Sequence, residues 1–124
     1  WTAARYGIPF LAIIANNRSF YNDEIHQEKV AISRDRPVEN KWIGQHIGGP
    51  DIDLAAMARA QGVTAFGPVS TAAELKYVIK EGLAAVKAGQ PVVIDARITP
   101  GYTKAMYAGM TRTAEETAEA DEGQ

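Results

Sequence analysis

Residues 10–21 read FLAIIANNRSFY, and this stretch decides the fold. Residues 10–15 are all apolar and show no alternation with polar residues. A continuous apolar run of this kind is typical of a parallel strand that is covered on both faces. The run ends at Asn16 and Asn17, two residues that readily form turns. We therefore predict a buried parallel strand that leads directly into a polar turn.

Outward from this stretch, helix and strand patterns alternate along the chain. Helices are predicted at residues 1–6, at residues 22–32, from Asp51 or Asp53 to Gly62, and from Thr71 to Gly89, and further strands at residues 63–66 and 91–98. This alternation predicts an α/β fold, a parallel sheet with helices on both faces. Ligands bind such sheets at the carboxyl ends of the strands. The asparagine pair therefore marks the place where function is expected.

Local signals fix two helix starts and one loop. Asn22 or Asp23 is the expected N-cap of the second helix, and Asp51 or Asp53 that of the third. Residues 33–50 are polar and rich in glycine and proline, which predicts a loop. A connection of this length tends to be functional.

The composition excludes several classes of protein. The chain has 124 residues, 46% of them apolar, a net charge of −2 and no cysteine. The apolar fraction excludes general disorder, and the missing cysteines exclude a disulfide scaffold and a cysteine-ligated metal site. No apolar stretch approaches the ~20 residues of a membrane span, and no secretion signal opens the chain, so we expect a cytoplasmic protein without a membrane partner.

The charges are unevenly distributed along the chain. Residues 113–124 hold five acids and no base, so residues 1–112 carry thirteen bases against ten acids. We predict that the acidic end is solvated. The bases of the remainder form no cluster, so no nucleic-acid partner is expected.

Common catalytic signatures are missing. The sequence has no G-x-G-x-x-G, no P-loop and no G-x-S-x-G, and its only histidines are His26 and His46. Asp23, Glu24 and His26 lie close together and have the chemistry of metal ligands or acid–base groups. Solvated residues in the first turn of a helix are the favoured interpretation, and His46 is expected at the surface. Trp42, in a polar loop, is a candidate for a domain or subunit contact.

Residues 13–21, IIANNRSFY, resemble the second half of the cofactor motif of thiamine-diphosphate enzymes, in which a buried strand leads into a pair of asparagines. The wider stretch from WTAARYGIPFLAIIANNRSFYNDEIHQ to VVIDARITPGY, about residues 1–102, is similar to the C-terminal diphosphate-binding domain of the flavoprotein-like acetolactate synthase and benzoylformate decarboxylase group. The resemblance implies a homo-oligomeric lyase or transferase that uses thiamine diphosphate and Mg²⁺. Its substrates would be 2-oxo acids, with carboligation as the first choice and decarboxylation as the second.

The resemblance also implies the roles of four residues. Asn17 would supply a side-chain oxygen to Mg²⁺ and Ser19 its backbone carbonyl oxygen, and oxygens are the ligands that Mg²⁺ prefers. The backbone N–H groups of Phe20 and Tyr21 would lie against the diphosphate, as N–H groups in turns do at other phosphate sites. It implies no catalytic residue within this chain.

The chain departs from the family pattern in what precedes Asn16. The Gly-Asp-Gly of the motif's first half, which carries a charged metal ligand, does not occur. Neither does a pyrimidine-binding domain. We therefore expect a diphosphate-binding fold that is incomplete at its N-terminus, with residues 1–101 as the C-terminal part of that domain and residues 102–124 as an extension with an acidic tail.

Such a fragment is expected to be inactive alone. Its expected partners are the remainder of its own chain and a second subunit, in a dimer or tetramer. Apolar surface should be exposed on the helix at residues 1–6 and the strand at residues 10–15, which favours self-association. The alternative is a non-catalytic accessory or remnant domain that binds a partner chain.

Overall fold

The computed structural model of the chain describes residues 1–109, so the acidic residues 113–124 lie outside the described part. Its elements are α1 (Thr2–Tyr6), β1 (Phe10–Asn16), α2 (Tyr21–Ser33), α3 (Leu54–Ala60), β2 (Thr64–Val69), α4 (Ala72–Lys87), β3 (Pro91–Arg97) and α5 (Lys104–Gly109). The chain forms two compact units. The first consists of Trp1–Arg18 and Ile47–Thr99, and the second of Ser19–His46 and the residues from Pro100 on. Within residues 1–109, no helix is both long enough and apolar enough to cross a membrane.

A parallel sheet forms the centre of the first unit. Its three strands have the order β1-β3-β2, so the last strand in sequence lies between the other two. β1 pairs with β3 from Phe10 opposite Pro91 to Asn16 opposite Arg97. This arrangement confirms the predicted α/β fold with a parallel sheet and helices. The boundaries predicted for the domains, residues 1–101 and 102–124, remain a prediction.

Helix α4 packs on one face of β3. Val92 and Ile94 are fully buried, and they form the core cluster together with Val69, Val78 and Ala96. Helix and sheet approach closely at Gly82, where an added Cβ would lie 3.2 Å from Cγ1 of Val92. The helix begins with the predicted capping box, in which Thr71 and Glu74 bind each other's backbone N–H groups.

Two strands differ from the prediction in detail. β1 is an edge strand, and Ile13 on it is 47% exposed, although its apolar run predicts cover on both faces. β2 continues beyond Phe66 to Val69, whereas the predicted strand ends at residue 66. Pro68 has no N–H to donate, so the pairing with β3 is interrupted after Phe66 and resumes at Val69.

The helix starts are partly as predicted. Asp53 caps α3, because its carboxylate accepts a hydrogen bond of 2.7 Å from the N–H of Ala56. The cap predicted for α2, Asn22 or Asp23, is wrong. The N-cap is Phe20, whose carbonyl oxygen accepts from the N–H of Asp23 at 2.9 Å, so the helix begins before either polar residue is reached.

The second unit contains α2, the loop that follows it and α5. The loop is irregular, as predicted, apart from an antiparallel bridge between Ser19 and His46. Three aromatic rings pack together: Tyr21 meets Tyr102 edge to face at 6.0 Å, and Tyr102 stacks on Tyr107 at 6.3 Å. These contacts join the start of α2 to residues 102–107.

Candidate functional site

In the first unit, polar side chains gather at the carboxyl ends of β1 and β3. Asn16 is the last residue of β1 and lies opposite Arg97, the last residue of β3. Asp51 forms an ion pair with Arg97 at 3.2 Å and a longer one with Arg18 at 3.9 Å. Of the two aspartates predicted as caps, Asp51 therefore neutralises arginines instead.

Asp95, on the central strand, is the most buried member of this group. It is 0% exposed, and its Oδ1 accepts a hydrogen bond of 2.9 Å from the side-chain amide of Asn16. The amide oxygen of Asn16 accepts in turn from the N–H of Arg18, at 3.2 Å. Oδ2 of Asp95 has no hydrogen-bond partner within residues 1–109.

Asn17, the predicted metal ligand of the first unit, follows the last residue of β1 and is half-buried. It stands between Asn16 and Arg18, the two residues joined by the amide hydrogen bond. Arg18 has a φ of 58°, in the left-handed region that few residues other than glycine adopt. The backbone around Asn17 is therefore a tight turn, as the sequence predicts.

The other three predicted site residues lie in the second unit, at the start of α2. Ser19 is buried, and its hydroxyl group donates to the carboxylate of Glu24, with the carbonyl oxygen of Gln45 at 3.1 Å. The N–H of Phe20 donates to the carbonyl oxygen of Gln45 at 3.1 Å. Tyr21 is the first residue of α2. The structure thus brings these three residues together in one unit, whereas Asn17 belongs to the other.

The N-terminus of α2 has no side-chain cap. The first N–H groups of a helix have no carbonyl partner within it, and together with the helix dipole they attract anions. The helix has 13 residues, which is long enough for this effect to be substantial. The N–H groups of Tyr21 and Asn22 are therefore suited to phosphate oxygens, whereas those of Asp23 and Glu24 already donate to the carbonyl oxygen of Phe20.

Glu24 differs from its predicted role as a solvated residue. It is 7% exposed and holds the hydroxyl group of Ser19. Because α2 begins at Tyr21, one turn of helix places this side chain back over Ser19. Asp23 and His26 are exposed, as predicted, and so is His46.

A second polar cluster in this unit joins α2 to the loop and to Tyr102. Nζ of Lys41 donates to Oε2 of Glu28 and to the hydroxyl oxygen of Tyr102, both at 2.6 Å. The hydroxyl group of Tyr102 donates to the same Glu28 oxygen at 2.5 Å. The hydrogen bond from Lys41 lowers the pKa of Glu28, and the Glu28 carboxylate raises the pKa of Lys41. Burial is the main cause of a raised pKa at Tyr102.

Acidic and histidine side chains do not form a metal site by themselves in the described part of the chain. No group of three or more such residues converges there. A metal bound by these residues would need neutral oxygens, such as those of Asn17 and the backbone, and further ligands.

A parallel sheet with polar residues at the carboxyl ends of its strands, followed in sequence by an uncapped helix, defines a cofactor-binding α/β domain. A family model described as "Thiamine pyrophosphate enzyme, C-terminal TPP binding domain" matches residues 1–96, and the chain belongs to this family. Thiamine diphosphate is accordingly its cofactor. A comparison with curated proteins found no match, and neither did one with solved structures.

Several polar residues that the structure brings into use were missed in the sequence. They are Asp95, Arg97, Glu28 and Lys41. Only Asp95 carried a signal, because a carboxylate inside the apolar run PVVIDARI is costly to bury and therefore unusual. The others depend on which turns and strands meet in the fold.

Proposed function

We propose that this chain is part of a thiamine-diphosphate- and Mg²⁺-dependent enzyme that acts on 2-oxo acids, of the acetolactate synthase and benzoylformate decarboxylase group. Carboligation is the favoured reaction and decarboxylation the second choice, so the enzyme is a transferase or a lyase. The cofactor, when bound, supplies the nucleophilic carbon and the electron sink for the carbon–carbon bond chemistry. Residues of this chain hold its diphosphate and orient it.

The uncapped N-terminus of α2 is the observation that carries this proposal. An anion at the N–H groups of Tyr21 and its neighbours would take the place of the missing cap. The amide oxygen of Asn17 and the backbone carbonyl oxygen of Ser19 are neutral oxygen donors, which suit Mg²⁺. Each of these groups is therefore of a kind that suits a magnesium ion or a diphosphate.

The backbone N–H of Phe20 fits the proposed contact with the diphosphate less simply. Its N–H already donates to the carbonyl oxygen of Gln45. A contact from this N–H to the diphosphate requires that the hydrogen bond to Gln45 is exchanged. Because a charged phosphate oxygen is a stronger acceptor than a carbonyl oxygen, such an exchange is favourable.

The wider assembly is also part of the proposal. We expect the remainder of a longer chain and a second subunit, in a dimer or tetramer, to complete the substrate site. A cytoplasmic location and the absence of nucleic-acid and membrane partners remain predictions. A non-catalytic accessory or remnant domain of the same fold, which binds a partner chain, is the alternative.

Asn17→Ala tests the proposed site. In the intact parent enzyme, we expect thiamine diphosphate to bind about 10–100-fold more weakly in the presence of Mg²⁺, as is common when a metal ligand or its support is lost. Water fills the vacated ligand position, so the thermal unfolding temperature should change little. Titration calorimetry of both variants measures the affinity, with Asn40→Ala, in the exposed loop, as the matched control. Equal affinities of Asn17→Ala and the wild type would contradict the site assignment.

A further inference from the structure

Burying the carboxylate of Asp95 destabilises the fold, and the packing of the sheet does not explain why a carboxylate is there. Its carboxylate is 0% exposed, and only Oδ1 has a hydrogen-bond partner among residues 1–109. Burying a carboxylate that is incompletely paired costs free energy, and an apolar residue of similar size is often more stable there. The side chain therefore serves something other than packing.

The position of this carboxylate is rigid. Asp95 lies on the central strand, which is paired on both sides. Gly67 of β2 approaches so closely that an added Cβ would overlap the backbone carbonyl oxygen of Asp95. A group held in this way is suited to fixing the side chain of a neighbour.

That neighbour is the side-chain amide of Asn16. An ionised carboxylate accepts hydrogen bonds and donates none, so it selects the NH₂ end of the amide. The amide oxygen of Asn16 must then face away from Asp95, where it accepts from the N–H of Arg18. Asp95 therefore determines which way round the amide is held.

The amide in turn stabilises the backbone of the turn. A hydrogen bond from the N–H of residue i+2 to the side-chain oxygen of residue i closes an Asx turn, and here it encloses Asn17. Arg18 has a φ of 58°, a left-handed conformation that is unfavourable for a residue with a Cβ. The turn needs such a bond to persist in the absence of a ligand.

We propose that Asp95 is a positioning residue for the cofactor site: through the amide of Asn16, it holds the turn that orients Asn17. The statement about Asn17 rests on the proposed function. The part that concerns the turn stands on the hydrogen bonds alone. Asn17 is thereby oriented before the metal arrives.

Exchanging the two side chains provides the test. In Asn16→Asp, two carboxylates face each other, and the turn should open. In Asp95→Asn, the new amide oxygen still accepts from Asn16, so the turn should persist. In the double variant Asn16→Asp/Asp95→Asn, the amide of residue 95 donates to one carboxylate oxygen of residue 16, and the other oxygen accepts from Arg18. The double variant should therefore rescue the first single variant.

Two measurements follow the turn and the site separately, the first on the 124-residue chain and the second on the intact parent enzyme. Hydrogen exchange of the Arg18 amide, measured by NMR without cofactor, should be faster by about tenfold or more in Asn16→Asp and restored in the double variant. Affinity for thiamine diphosphate with Mg²⁺ should fall by about 10–100-fold and recover in the same pattern. Asn40→Asp is the matched control, because it makes the same substitution in the exposed loop.

The outcomes separate this inference from the proposed function. If the wild type binds thiamine diphosphate and the double variant behaves like Asn16→Asp in both measurements, Asp95 does not position the turn. If the intact wild-type enzyme does not bind the cofactor, the proposed function fails, and the exchange of the Arg18 amide still decides the role of Asp95. An Arg18 amide equally protected in Asn16→Asp and the wild type overturns the inference.

Discussion

The stability of the second unit depends on pH through a hydrogen-bonded cluster of three side chains, Glu28, Lys41 and Tyr102. Lys41 lowers the pKa of Glu28 below its ordinary value of about 4.5, and Glu28 raises that of Lys41 above about 10.5. The stability from Glu28 is present above pH 4.5 and is lost as the pH falls through the lowered pKa. The stability from Lys41 is present below pH 10.5 and is lost as the pH rises through the raised pKa.

Glu28→Gln should therefore destabilise the second unit at neutral pH, by about 1–3 kcal/mol for the lost charge-assisted hydrogen bonds. The difference in unfolding free energy between Glu28→Gln and the wild type should shrink as the pH falls through the lowered pKa of Glu28. Urea unfolding, followed by Trp42 fluorescence in a Trp1→Phe background, measures both effects. Glu39→Gln, in the exposed loop, is the matched control. Equal stabilities of the two variants at pH 7 would show that the cluster contributes nothing.

At the scale of elements, the contact of α4 with the sheet depends on a glycine. A Cβ at Gly82 would lie 3.2 Å from Cγ1 of Val92 and 3.3 Å from Cδ1 of Leu11, both tighter than ordinary contact. Gly82→Val should therefore push the helix off the sheet and cost about 1–3 kcal/mol of unfolding free energy. Ala84→Val, on the exposed side of the same helix, should cost only the lower helix propensity of valine, less than about 1 kcal/mol. Urea unfolding compares them, and similar losses would contradict the close-packing explanation.

The sequence predicts well those elements whose ends are marked by residues close by in the chain. The capping box at Thr71, the cap at Asp53 and the strand that ends at Asn16 all depend on residues close in sequence. The extension of β2 depends instead on its pairing with β3. The start of α2 is set by the backbone of Phe20, which gives no side-chain signal in the sequence.

The same distinction applies to the site. Asn17 and Tyr21 lie at the ends of predicted elements, so their positions along the chain suggest a role. Asp95 acts on Asn16 across 79 residues of sequence, and the contact exists only because the two strands pair in this register. Sequence patterns within one strand cannot reveal such a partner.

At the scale of the whole molecule, exposed apolar surface on the first unit predicts association between copies of this chain. Trp1, Tyr6, Ile8 and Ile13 are each 47% exposed or more, and β1 is an edge strand with unpaired backbone groups. We expect sedimentation velocity to show concentration-dependent association, and Ile13→Lys to weaken it. Ile43→Lys, at a site in the second unit that is 56% exposed, is the control. A monomer at high concentration would contradict this prediction.

An insertion or deletion in β3 affects the structure differently from a substitution, because the two faces of this strand carry different side chains. Val92 and Ile94 face α4, whereas Asp95 faces the opposite way and binds Asn16. Because side chains alternate along a strand, adding or removing one residue within Pro91–Arg97 exchanges the faces of every residue beyond the change. An aliphatic side chain would then lie beside Asn16, and a carboxylate would lie under α4. A substitution in this strand therefore changes one side chain and leaves the others on their faces. A single codon gained or lost in frame removes the core packing and the support of the turn together.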